Sequence, residues 1–127
     1  CNRMRHLHVD SIEMVANPRL WKQYLNKRDQ IVDSLLDRHD CAWVPNISPP
    51  VRRMLEILDF MDCNYTANEV LLLHGTKESS VQQITRQGFD DRLSERCLYG
   101  NGVYLTADAC KAAQYCAFGS SGCIILA

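Results

Sequence analysis

The sequence predicts an α+β fold, with helices in the N-terminal half and a strand-building core after them. Three observations carry the prediction. Trp21, Tyr24, Leu25, Val32, Leu35 and Leu36 recur at helical spacing, with Lys and Arg opposite. Residues 71–76 read Leu-Leu-Leu-His-Gly-Thr and residues 99–104 read Tyr-Gly-Asn-Gly-Val-Tyr, each an apolar strand with a polar, backbone-exposing tip. Residues 123–127, Cys-Ile-Ile-Leu-Ala, read as the start of one more apolar strand.

Taken in order, Leu7, Val9, Ile12 and Val15 suggest a short strand or an extended lead-in. Asn17 then caps a helix with Pro18 at its first position, where a proline has no hydrogen bond to lose. The periodic pattern runs to about His39 and gives a docking helix with one apolar face. Residues 40–48 read as loop, and Pro49-Pro50 should break any helix. Val51 to Phe60 forms a second, shorter helix, with Met54, Leu55, Leu58 and Met61 apolar. Glu69 to Leu73 is a strand whose continuous apolar run implies burial on both faces. Ser79 or Ser80 caps a helix carrying Val81 and Ile84, and Gly88 stops it. Asp90 to Leu98 is a polar loop. After the second glycine motif, Thr106 caps an alanine-rich helix over residues 107–116.

The candidate site lies in the second half. Glycines at Gly75, Gly100 and Gly102 let a ligand approach the main chain, whose N–H and C=O become recognition groups. On the alanine-rich helix, Asp108, Ala112 and Tyr115 fall at i, i+4 and i+7, one face of the cylinder. Tyr115 from that helix and Tyr104 from the strand could flank one slot for a flat aromatic ring, beside a histidine able to hydrogen-bond what the ring carries. Taken alone, His74 would read as a satisfied core histidine, and each tyrosine as a core aromatic. Their joint placement favours a site.

The run from Glu69 to Cys116 resembles the catalytic domain of the PARP family, the diphtheria-toxin-like ADP-ribosyltransferases. The matching segments are Leu72-Leu73-His74-Gly75-Thr76, then Val81-x-x-Ile84-x-x-x-Gly88-Phe89, then Tyr99-Gly100-x-Gly102-Val103-Tyr104, then Lys111-x-Ala113-x-Tyr115. A looser similarity to mono-ADP-ribosylating members begins at Asn17-Pro18-x-Leu20-Trp21-x-x-Tyr24. The resemblance implies a single catalytic domain over 1–127, with 1–68 as helical lead-in and 69–127 as NAD-binding core. Its strands would form the first part of an antiparallel split sheet. It implies NAD⁺ as substrate, no metal, and nicotinamide held between Tyr104 and Tyr115. His74 would bond a ribose hydroxyl, Gly75 would pair with the carboxamide, and Thr76 would assist. His74 and Tyr104 are the catalytic candidates. The third catalytic position, which separates polymer formation from single transfer in this family, would lie beyond Ala127. The unclosed strand at the end accordingly reads as a truncated domain, without transferase activity by itself.

Two departures stand out against that pattern. Ala112 occupies a place where relatives often carry a serine hydroxyl for the carboxamide; one such contact is worth on the order of 1 kcal/mol, roughly fivefold in affinity. Asp90 falls near where some relatives use a basic residue towards the diphosphate, which leaves Arg92, Arg96 and Lys111 as candidates. The segment between the first helix and His74 is longer than in many relatives and carries no assigned chemistry.

Composition narrows the rest. A net charge of −1 provides no basic field for nucleic acid as a bulk electrostatic partner. No apolar stretch is long enough to span a membrane. Seven cysteines, an odd number with no Cys-x-x-Cys pair, argue against a disulfide framework and a zinc ribbon. They suit reduced thiols in a cytoplasmic or nuclear protein. The expected partners are NAD⁺ and an acceptor, a protein first, with a nucleic-acid acceptor admitted. Two other functions compete: a catalytically inactive PARP-like binding module, and a tRNA 2′-phosphotransferase. The latter shares the fold and a similar His-Gly-Thr strand, but it relies on arginines, and two tyrosines suit it poorly.

Overall fold

The computed structural model describes residues 8–37, 48–57, 63, 67, 69–93, 99–116 and 122–127. Its elements, in chain order, are α1 (Pro18–Leu36), α2 (Pro49–Ile57), β1 (Leu73–Lys77), α3 (Glu78–Gln87), a 3₁₀ turn (Asp91–Leu93), α4 (Ala109–Ala113) and β2 (Gly122–Leu126). The chain is α+β, as the sequence predicts. Its contacts divide it into two compact units, one of residues 18–72 and one of residues 73–127 with the segment up to Asn17.

In the first unit α1 starts at Pro18, as predicted, and ends at Leu36; His39 lies outside the described residues. Leu25, Val32 and Leu35 are half-buried; Trp21 stays largely exposed, Tyr24 less so, and the two rings stack at 5.3 Å. Tyr24 donates its hydroxyl to Glu69 Oε1, and Arg28 Nη1 stands 3.9 Å from the same oxygen. This carboxylate ties α1 to the segment that leads out of the unit.

Pro49-Pro50 does not break α2 but opens it. The first turn of a helix has no carbonyl partners for its N–H groups, so a proline there sacrifices nothing. The first i→i−4 bond runs from Arg52 N–H to Ser48 O, at 3.0 Å. The predicted extension to Phe60 falls outside the described residues.

In the second unit β1 pairs antiparallel with β2, in the register Leu73↔Leu126, Gly75↔Ile124 and Lys77↔Gly122. The predicted strand over Glu69–Leu73 is therefore misplaced: the strand begins where that one was to end. Residues 70–72 are apolar enough for a strand, but the ladder partners of β2 start at Leu73. His74, Gly75 and Thr76 stand inside the strand rather than at its tip. On its other side β1 makes one isolated bridge, with Leu73 N–H on Thr106 O at 2.8 Å and Thr106 N–H on Leu73 O at 2.9 Å. The strand expected from residue 123 is present, alternating exposed and half-buried residues from Gly122.

Helix α3 follows β1 without a loop. Its N-cap is Lys77, whose side chain makes no capping bond, so neither Ser79 nor Ser80 caps it as predicted. Gly88 stops it as expected, with φ of 88° and its N–H on Ile84 O at 2.8 Å. A left-handed φ of this kind is open to glycine at little cost. Asn17 reaches the same end of α3, donating Nδ2 to the carbonyls of Thr85 (2.9 Å) and Arg86 (3.1 Å). These are among the last carbonyls of the helix, which lack partners inside it.

Helix α4 is shorter than predicted and is capped by Asp108, not Thr106. The Asp108 carboxylate accepts from the N–H groups of Cys110 (2.8 Å) and Lys111 (3.4 Å), while Thr106 Oγ1 accepts from Asp108 N–H at 3.0 Å. A carboxylate outcompetes a hydroxyl here because it adds charge to the N-terminal dipole. Tyr115 lies in the turn beyond α4, its N–H on Ala112 O at 3.0 Å. The segment at residues 8–17 forms no strand, and Val9, Ile12 and Met14 on it are exposed.

Candidate active site

Gly75 is where α4 meets the sheet. A Cβ built there would lie 1.8 Å from Ala112 O and 2.6 Å from its carbonyl carbon. Only a glycine lets the backbone of α4 come this close. Ala112 is fully buried at the same contact. The alanine thus brings its carbonyl against Gly75 and exposes no surface of its own.

Strand alternation fixes which way the Gly75 peptide groups face. Leu73 gives its N–H and C=O to Thr106, so those of His74 and Thr76 turn towards β2 and those of Gly75 turn back to the Thr106 side. Were that ladder to continue, Tyr104 would be the next partner of Gly75. It does not continue: Leu73–Thr106 is an isolated bridge, and no backbone bond joins Gly75 to Tyr104 among the described residues. The carbonyl of Tyr104 is taken instead by His74 Nδ1, at 2.9 Å.

That bond also sets the histidine tautomer. A carbonyl oxygen only accepts, so Nδ1 carries the hydrogen and, in the neutral ring, Nε2 keeps its lone pair. The imidazole meets the Phe89 ring edge to face, with centroids 5.0 Å apart and an interplanar angle of 69°. Tyr104 is held by its own loop: its hydroxyl donates to Gly100 O at 2.7 Å and accepts from Tyr99 N–H at 3.0 Å. Its ring lies 6.2 Å from that of Tyr99. Tyr115 is half-exposed, and Lys111 Nζ stands 5.4 Å from its ring centroid. No ring contact joins Tyr104 to Tyr115 among the described residues. Thr76, next to Gly75 on β1, is buried.

A family model of the Poly(ADP-ribose) polymerase catalytic domain matches residues 2–127. The chain belongs to that family. No curated protein matches the chain.

Three basic residues were candidates for a diphosphate in this PARP-family chain. Arg92 forks onto its neighbour Asp90 through Nε (2.8 Å) and Nη2 (2.7 Å), and its N–H bonds the same carboxylate at 3.1 Å. The guanidinium bond holds the Asp90 carboxyl below the usual carboxylate range and in turn raises Arg92. Lys111 lies over Tyr115, and Arg96 falls outside the described residues. Among the described residues no group of three or more His, Cys, Asp or Glu could hold a metal ion, and no helix is long and apolar enough to cross a membrane. Sequence reasoning gave no role to Phe89 or to Tyr99. The signal for Phe89 was present in its motif, directly after the glycine that stops α3.

Proposed function

We propose that this chain forms the NAD⁺ site of an enzyme that transfers ADP-ribose from NAD⁺ to an acceptor, most simply a protein side chain, with release of nicotinamide. One observation carries the reading: the N–H and C=O of Gly75 face the Tyr104 segment, beside a ladder that stops one step short of them. A carboxamide has one donor and one acceptor in a plane and matches such a pair. Family membership supplies the substrate class, and His74, Gly75, Thr76, Tyr104, Ala112 and Tyr115 are the residues assigned to it.

In this reading the chain works mainly by placement. Gly75 orients the carboxamide, and Tyr104 and Tyr115 hold the nicotinamide ring. His74 Nε2 accepts a hydrogen bond from a ribose hydroxyl. Ala112 supports Gly75 from behind, and Thr76 continues the strand beneath. As the bond from nicotinamide to ribose lengthens, positive charge grows on the ribose and the acceptor attacks the anomeric carbon. A dissociative reaction of this kind depends on how firmly its parts are held.

Calorimetric titration with NAD⁺ tests the reading. Tyr115→Ala should weaken binding by about 1–3 kcal/mol, the range for a base stacked on an aromatic side chain. Equal affinity for the variant and the wild type would remove Tyr115 from the slot. Label transfer from radiolabelled NAD⁺ by these 127 residues alone would overturn the expectation that they are inactive without the third catalytic position.

A further inference from the structure

The motif Gly88-Phe89-Asp90-x-Arg92 has no part in the chemistry above, yet its geometry is directed at the site. Gly88, at φ 88°, ends α3 and turns the chain back. Phe89 then lands edge to face on His74, a strand residue fifteen positions earlier. Immediately after it, the Asp90 carboxylate clamps Arg92, and Leu93 N–H closes a turn on Asp90 O at 3.2 Å. Stop, ring and latch follow one another within five residues.

One hydrogen bond from Nδ1 to Tyr104 O restrains the imidazole but still lets it pivot about the bond. A second restraint on the ring's flank, from a separate segment, removes the pivot. Phe89 provides it, with the quadrupole attraction that favours edge-to-face pairs. We propose that Phe89 is a positioning residue for His74, fixing the imidazole plane so that Nε2 points steadily at the ribose. The proposal rests on the NAD⁺ reading for its ligand but not for its geometry. The bland alternative is that Phe89 is only the apolar contact that commonly follows a helix C-terminus.

The test uses the full 127-residue chain and the variant Phe89→Leu, which keeps apolar bulk and removes the ring. Titration with NAD⁺ should show affinity about three- to tenfold weaker, from the range for aromatic pairs. Nicotinamide alone, which has no ribose to reach His74, should bind both proteins equally. In a His74→Ala background, Phe89→Leu should add nothing, and Phe89→Tyr should behave as wild type. In the ligand-free proteins, ¹³C relaxation of the His74 ring C–H groups should show a rigid imidazole in wild type. In Phe89→Leu the ring should be markedly more mobile, while the bond to Tyr104 O keeps Nδ1–H as the tautomer. Equal losses for NAD⁺ and nicotinamide would overturn the proposal in favour of a general structural role. Unchanged ring mobility in Phe89→Leu would overturn it whatever the affinities. If wild type binds no NAD⁺, the functional reading fails by itself and the ring-mobility measurement decides this one.

Discussion

Replacing Gly75 by alanine should be the most damaging single-methyl change among the described glycines. The added Cβ would sit 1.8 Å from Ala112 O, whereas ordinary contact begins at 3.4 Å, so the two backbones must part by about 1.6 Å. No rotamer relieves this, because the obstacle is main chain. Overpacking costs about 1–3 kcal/mol even where side chains can give way, so Gly75→Ala belongs at or above the upper end. For a chain of this size that lowers the melting temperature by about 10 °C or more. Thermal unfolding followed by circular dichroism, without ligand, reads it directly. Three other glycines calibrate the result. A Cβ at Gly122 would lie 2.4 Å from the Cys116 Cβ, an atom as fixed as main chain but less deeply overlapped, so Gly122→Ala should cost less than Gly75→Ala. Gly100 has open space but a φ of 97°, so alanine there costs only the backbone strain, about 1 kcal/mol. Gly102 has open space and no positive φ, and Gly102→Ala should fall within about 0.5 kcal/mol of wild type. A Gly75→Ala protein that melts with Gly102→Ala would mean that α4 does not lie against β1, and the site geometry built on that contact would fall with it.

Two further expectations concern single titrating groups. Burial, then the hydrogen bond and charge of Glu69, raise the Tyr24 hydroxyl well above its ordinary 10.0. The folded state holds this proton more tightly than the unfolded chain, so its contribution is fully present below about pH 10 and is lost as pH rises further. Urea midpoints measured from pH 9 to 11 should therefore fall more steeply in wild type than in Tyr24→Phe, and parallel curves would refute the coupling. Burial likewise pushes the Cys116 thiol up, with Thr76 backbone bonding acting against it. Iodoacetamide at about pH 8 should alkylate Cys116 more slowly than it alkylates glutathione, since the thiolate is the reactive form. An equal rate would show that the thiol is not sheltered.

Much of this molecule was legible from local chemistry. Pro18 announces a helix start and Gly88 a helix stop because each restricts or frees φ by itself, without help from the rest of the chain. The motif residues of the candidate site fall together in one unit, on β1, on the segment at 99–106 and around α4. Part of what was misread depends on partners distant in sequence. Val70 to Leu73 look more like a strand than His74-Gly75-Thr76 do, but pairing with Gly122–Leu126 decides which residues extend. The choice of Asp108 over Thr106 as cap turned on a carboxylate two residues further along that already faced the first free N–H groups. The contact of Ala112 with Gly75 had no local signal at all. In the sequence Gly75 reads as an opening for a ligand; in the fold it is first of all the floor on which a helix rests.

The interrupted ladder beside Gly75 has a consequence for how binding and stability are connected. In the proposed NAD⁺ reading, an amide docked there would fill the gap left where Tyr104 gives its carbonyl to His74. Such a ligand would act as a loose piece of β-structure, a rung that the protein leaves out and borrows back. Its occupancy should slow hydrogen exchange at neighbouring amides of the Leu73–Thr106 bridge, because a ligand that binds only the folded form raises the free energy of opening. A compound carrying the same aromatic ring without the amide could stack between the tyrosines and still leave the sheet unzipped. Screening by exchange protection would then separate molecules that merely fill the slot from those that finish the sheet.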